Sequence, residues 1–64
     1  MNNVLKELRT ARGLTQQQLA EALAVSRQTV ISIESGKYDP SLPLAFKIAR
    51  YLDTTIEAVF IPAE

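Results

Sequence analysis

The sequence predicts an all-α fold: five short helices packed as one domain spanning residues 1–64. Three observations predict it. Apolar residues recur at helical spacing along most of the chain. Four of the five segments open on a Ser or Thr suited to cap a helix, namely Thr15, Ser26, Ser41 and Thr55. No strand is expected, because Val30-Ile31-Ser32-Ile33 alternates for only four residues and sits inside a capped helical segment.

Helix 1 is expected near Asn3 to Arg12, with Val4, Leu5, Leu8 and Ala11 forming one apolar stripe and Gly13 ending it. Helix 2 has the best-marked start. Thr15 and Gln18 have capping-box spacing, and Leu14 and Leu19 sit where a hydrophobic staple would close around the cap. Leu19, Ala20 and Leu23 are its buried face. After Ala24 and Val25, Ser26 caps helix 3, which runs to about Ser35 with Gly36 as its left-handed stop. Two capped helices joined by so short a turn must cross steeply. Lys37 to Pro40 form a loop. Ser41 caps helix 4, which tolerates Pro43 in its first turn and buries Leu42, Ala45, Ile48, Ala49 and Leu52. Thr55 caps a short helix 5 carrying Ile56, Val59 and Phe60, and Pro62 ends it.

Composition excludes several function classes. The chain has no cysteine and no histidine, so a thiolate metal site, a disulfide and the commonest general base are all unavailable. The carboxylates are scattered over cap, loop and helix positions with no shared cleft implied, so an enzyme is not expected, nor is a cofactor. No apolar run approaches the roughly 20 residues that span a bilayer, and residues 1–12 are charged throughout. A cytoplasmic protein is therefore expected. A chain this short buries only about 60% of the surface its unfolded form exposes, so burial in a dimer is a plausible further source of stability. Net charge is zero but unevenly spread. Residues 1–50 hold all seven basic groups against four acids (Glu7, Glu21, Glu34, Asp39), a balance of +3, whereas residues 51–64 hold Asp53, Glu57 and Glu64 with no base. A weakly basic body with an acidic end suits one face on a polyanion and the other turned away.

The third helix carries the chemistry. At about 100° per residue with Val30 at zero, Ile33 and Glu34 fall within about 60° of Val30 and face the core, whereas Ile31, Ser35, Gln28 and Ser32 lie between about 100° and 200°. The outer face is thus short, uncharged and capable of hydrogen bonding, with Arg27 at its edge. A merely solvated helix usually carries Lys and Glu there. The face suits a DNA major groove: Gln pairs with adenine N6 and N7, Arg with guanine O6 and N7, Ser with either, and an aliphatic group with a thymine methyl. Backbone N–H groups at the starts of helices 2 and 3 suit phosphates.

The run from Leu14 to Val30 (LTQQQLAEALAVSRQTV) and its continuation from Ile33 to Ser41 (IESGKYDPS) resemble the Xre/Cro-repressor family of helix-turn-helix regulators. Ala20, Val25, Val30 and Ile33 hold the spacing of that motif, and the resemblance extends from Leu5 to Phe60. It implies a five-helix, lambda-repressor-like domain with the helix-turn-helix formed by helices 2 and 3, double-stranded DNA as ligand, and a homodimer on a palindromic operator. It also implies roles. Arg27, Gln28, Ile31 and Ser32 would meet base edges, with Ser26 beside them as a cap that also reaches the DNA backbone. Gln16, Gln17, Thr29, Lys37, Tyr38 and Ser41 would meet that backbone too. Arg9 and Glu34 would form a buried salt bridge between helices 1 and 3. Two positions depart from the family pattern: Ala24 stands where Gly is usual in the turn, and Asp53 stands where Gly often follows helix 4.

The apolar end Val59, Phe60 and Ile61 is a candidate dimer patch. Together with the zero net charge it also supports an alternative: an interaction module, such as an antitoxin or small inhibitor, docking a toxin or co-regulator through helices 4 and 5.

Overall fold

The computed structural model describes residues 1–62; Glu64, one of the three acids expected at the acidic end, lies outside them. The elements run β1 (Asn2–Asn3), α1 (Leu5–Ala11), α2 (Gln16–Leu23), α3 (Arg27–Glu34), α4 (Leu42–Tyr51), α5 (Ile56–Val59) and β2 (Phe60–Ile61). The all-α expectation holds apart from one small ladder.

Local chemistry sets the starts of the helices. Thr15 and Gln18 form the full capping box: Thr15 Oγ1 accepts from the Gln18 amide at 3.0 Å, and Gln18 Oε1 accepts from the Thr15 amide at 2.8 Å. Ser26, Ser41 and Thr55 accept from the amides of Thr29, Leu44 and Ala58. Helix 1 is the exception. Val4 has no capping side chain, and Asn3 Oδ1 accepts from the Leu5 amide instead.

The helix ends also share one device. After α1, α2, α3 and α4 the chain turns through a residue with positive φ: Gly13, Ala24, Gly36 and Asp53. Each turn is closed by the paired bonds of a Schellman motif. At α2 the Val25 amide donates to Ala20 O at 3.0 Å and the Ala24 amide to Glu21 O at 3.2 Å; at α3 the Lys37 amide donates to Ser32 O at 3.1 Å and the Gly36 amide to Ile33 O at 3.0 Å. Gly36 has an added reason to lack a side chain, since a Cβ there would lie 3.3 Å from the Met1 carbonyl oxygen.

Leu5, Leu19, Leu23, Val30, Ile33, Ile48 and Val59 are fully buried and form the centre of one core, with Leu52 and Phe60 closing it. Burying each such side chain stabilises the fold by about 1.5–3 kcal/mol before conformational entropy is counted. No helix among the described residues is long and apolar enough to cross a membrane.

Several expectations are corrected. Helix 1 starts at Leu5, not Asn3, and its stripe buries Leu5 and Arg9 while Ala11 is exposed. A strand pair was not expected, yet Asn2 and Asn3 pair antiparallel with Ile61 and Phe60. The Val4 amide extends this ladder by donating to Val59 O at 2.9 Å. Two residues are too few to show alternation, and their partners lie at the other end of the chain. Phe60 therefore leaves helix 5 for an extended conformation. Leu42, expected in the core, is 64% exposed: it opens α4, ahead of the part that packs on the rest of the fold.

Candidate nucleic-acid interface

The helix pair is fixed by charge as well as by apolar packing. Arg9, buried on α1, donates through Nε to Glu34 Oε2 at 2.6 Å and through Nη2 to Oε1 at 3.3 Å. Its Nη1 donates to Leu14 O at 2.8 Å, just before the α2 cap. One guanidinium therefore ties α1, the start of α2 and the end of α3 together. The side chains of Arg9 and Glu34 are only 9% and 6% exposed. No buried side-chain polar atom among the described residues lacks a partner, so the pair is desolvated but fully hydrogen-bonded.

The Ala24 turn sets the crossing between α2 and α3. Ala24 takes φ 58° and ψ 41°, the left-handed conformation that its usual glycine would adopt without cost. Val25 follows and packs against the core.

With α3 so placed, Val30 and Ile33 point fully inward. Gln28 and Arg27 are exposed, and Ile31 and Ser32 are half-buried. Gln28 Nε2 lies 3.4 Å from Ser32 Oγ, one turn along the same face. Ser26 and Thr29 share a hydroxyl bond of 2.9 Å. The Lys37 and Tyr38 amides both donate to Ser32 O, which folds the following loop back onto the end of α3. Ser26, Gln28, Thr29, Ser32 and Tyr38 consequently line one shallow polar depression.

The remaining residues expected at the interface are placed less uniformly. Gln16 turns its Nε2 toward Glu34 Oε1 at 3.2 Å, joining the buried ion pair, and Gln17 lies along α2 against Glu21 at 3.2 Å. Ser41 Oγ is the α4 cap. Of the residues expected at a patch between subunits, Val59 is fully buried and Phe60 is 5% exposed, because both cover this chain's own core; only Ile61, 47% exposed, presents surface. Phe46 and Tyr51 on α4, and Met1, are exposed large apolar side chains that sequence patterning alone does not single out.

The basic side chains are divided by function in the fold. Besides Arg9, Lys47 Nζ donates to Leu23 O at the end of α2 at 2.7 Å, and Arg12 Nη2 donates to Leu52 O at the end of α4 at 2.7 Å. Both cations sit where a helix dipole is negative. Arg27 opens α3 and Lys37 lies just past its end, and neither forms an ion pair among the described residues. The described residues contain no cluster of acidic, His or Cys side chains able to hold a metal ion.

Comparison with known proteins agrees with this geometry. The helix-turn-helix family model HTH_3 matches residues 5–59. An uncharacterized HTH-type transcriptional regulator of Methanocaldococcus jannaschii is 59% identical over 61 residues, covering 95% of this chain and 92% of that protein. Another, from Bacillus subtilis, is 48% identical over 60 residues, covering 94% and 91%. The restriction-modification controller protein C.AhdI from Aeromonas hydrophila superposes with a TM-score of 0.79 at 39% identity, covering 88% of this chain and 85% of its own. The resemblance first read from Leu14 to Ser41 is borne out, and the chain belongs to the helix-turn-helix family of DNA-binding transcriptional regulators.

Proposed function

We propose that the chain is a sequence-specific repressor that binds a palindromic operator as a homodimer, each copy laying α3 in the major groove of double-stranded DNA. One observation carries this most directly. The exposed edge of α3 is neutral and rich in hydrogen-bonding groups, whereas the charged side chains of Arg9, Arg12 and Lys47 are engaged in holding α1, α2, α3 and α4 together.

On this reading Gln28 and Arg27 bond base edges, Ser32 assists, and half-buried Ile31 meets a thymine methyl. Ser26, Thr29, Tyr38 and Lys37 contact phosphates around the depression, Ser41 does so from the start of α4, and Gln17 from α2. Gln16 keeps a second N–H for a phosphate while its first is held by Glu34. Two copies related by a dyad would set α3 and its mate about 34 Å apart, one helical turn of DNA. Repression then needs only occupancy of a site that overlaps a promoter.

Selection from a random duplex library tests the proposal. The expected product is a short site with two-fold symmetry, bound by two chains. Binding that is weak and indifferent to sequence would overturn it. Exposed apolar residues on α4 also favour an unlike protein partner, a toxin or co-regulator, which is compatible with DNA binding but does not replace it.

A further inference from the structure

The loop that carries Lys37 and Tyr38 is held from behind by β1. Asparagine is depleted in strands, so its side chain, not its propensity, accounts for Asn3 in β1. The half-buried Asn3 carboxamide is divided between two helices: Oδ1 accepts from the Leu5 amide at 3.1 Å, and Nδ2 donates to Ile33 O at 2.8 Å. Its second N–H reaches Met1 O at 3.4 Å, so the group is committed inside the chain. Ile33 O also accepts from the Gly36 amide at 3.0 Å. This one carbonyl joins Asn3 to the left-handed turn that leads into the loop, with both lone pairs used. The Asn3 backbone is itself pinned, because it pairs with Phe60, which is buried in the core. Beside it the Met1 carbonyl oxygen lies 3.3 Å from where a Gly36 Cβ would stand, so strand and turn meet backbone to backbone. The Met1 amine adds contacts of 3.3 Å to Gly36 O and 3.1 Å to Asp39 Oδ1. On the opposite side the Lys37 and Tyr38 amides donate to Ser32 O. The loop is thus fixed from both sides, while the Lys37 and Tyr38 side chains are exposed.

We infer that Asn3 is a positioning residue for DNA binding: through Ile33 O and the Gly36 turn it holds Lys37 and Tyr38 where they meet phosphates, its own carboxamide staying inside the chain. The inference rests on the phosphate-contact reading of those two residues and adds what aims them. A loop held in place beforehand loses less conformational freedom on binding, so more of each contact appears as affinity. Phosphate is the same at every base pair, so Asn3 raises affinity for every sequence alike. It acts with Lys37 and apart from Gln28.

Asn3→Ser in the full chain tests this. Serine is neutral and can still cap the Leu5 amide, but it is too short to reach Ile33 O. Affinity is measured by fluorescence anisotropy on the selected operator and on a scrambled duplex, at a temperature where circular dichroism shows both proteins folded. Asn3→Ser should weaken both duplexes alike, by about two- to tenfold. In a background of Lys37→Ala with Tyr38→Ala, the same change should have no further effect on affinity. Without DNA, amide exchange at Lys37 and Tyr38 should quicken relative to Val30. Unchanged affinity, whatever happens to the melting midpoint, makes Asn3 merely structural and overturns the inference. So does a loss that persists undiminished in the double-alanine background, or one confined to the operator. Should the serine variant not fold, Asn3→Asp replaces it. Aspartate is isosteric, keeps Oδ1 for the Leu5 amide and removes the donor, and the cycle of variants subtracts the effect of its charge. A wild type that binds both duplexes equally overturns the operator reading but not this inference, which the Asn3→Ser comparison on either duplex still decides. A wild type that binds no duplex overturns both.

Discussion

The two sides of α3 carry opposite chemistry. Its inner side sends Glu34 into a 2.6 Å contact with Arg9, both side chains nearly solvent-free. Its outer side offers water a glutamine and serines beside Arg27 and a half-buried isoleucine. An ordinary surface helix puts its charges outside and its neutral residues inside. The reversal has a physical reason on each side. Inside, a bidentate guanidinium–carboxylate pair fixes orientation as well as proximity, which a greasy contact does not. Outside, on the proposed reading, neutral donors and acceptors together with Arg27 discriminate among base edges, whereas a phosphate contact is the same at every base pair.

The comparison breaks most severely at the inner side. Arg9→Ala leaves Glu34 buried and uncompensated and should cost about 3–5 kcal/mol of stability, read from urea or thermal unfolding. The double change Arg9→Met with Glu34→Leu should recover much of that loss, since well-packed apolar replacements of a buried pair are often near neutral. If the double variant is no better than the single, the pair is held by more than desolvation and hydrogen bonding.

The outer side should respond in binding and not in stability. Gln28→Ala is expected to lower operator affinity by about 1–3 kcal/mol and to relax preference at one base pair, with the unfolding midpoint unchanged. Lys37→Ala is the contrasting variant. It should weaken all sequences alike and flatten the salt dependence by about one unit. Should Gln28→Ala behave as the lysine change does, the assignment of base reading to that edge is wrong. The smallest effect belongs to the turn that aims α3. Ala24→Gly removes the left-handed penalty of an L-residue at φ 58° and should stabilise the domain by up to about 1 kcal/mol, seen as a small rise in midpoint.

Much of this molecule is legible without coordinates. Thr15, Ser26, Ser41 and Thr55 each cap the helix they precede, because a cap is a bond between residues three apart and depends on little else. The inward set Val30 and Ile33 and the exposure of Gln28 follow from the helical period. The Arg9–Glu34 pairing was accessible only through resemblance: the helical period turns Glu34 toward the core, but nothing local to it names Arg9 as its partner.

The sequence by itself determined where four helices begin, that α3 stops at a left-handed Gly36 and which side of α3 faces outward, since these depend on neighbours within about four residues. Only the tertiary structure decided that Asn2 and Asn3 pair with Ile61 and Phe60, that Arg12 and Lys47 close the carbonyl ends of other helices, and that Val59 lies inside while Phe46 lies outside. Each of these joins elements distant in the chain, and their residue types alone carry no record of which distant surface will meet them.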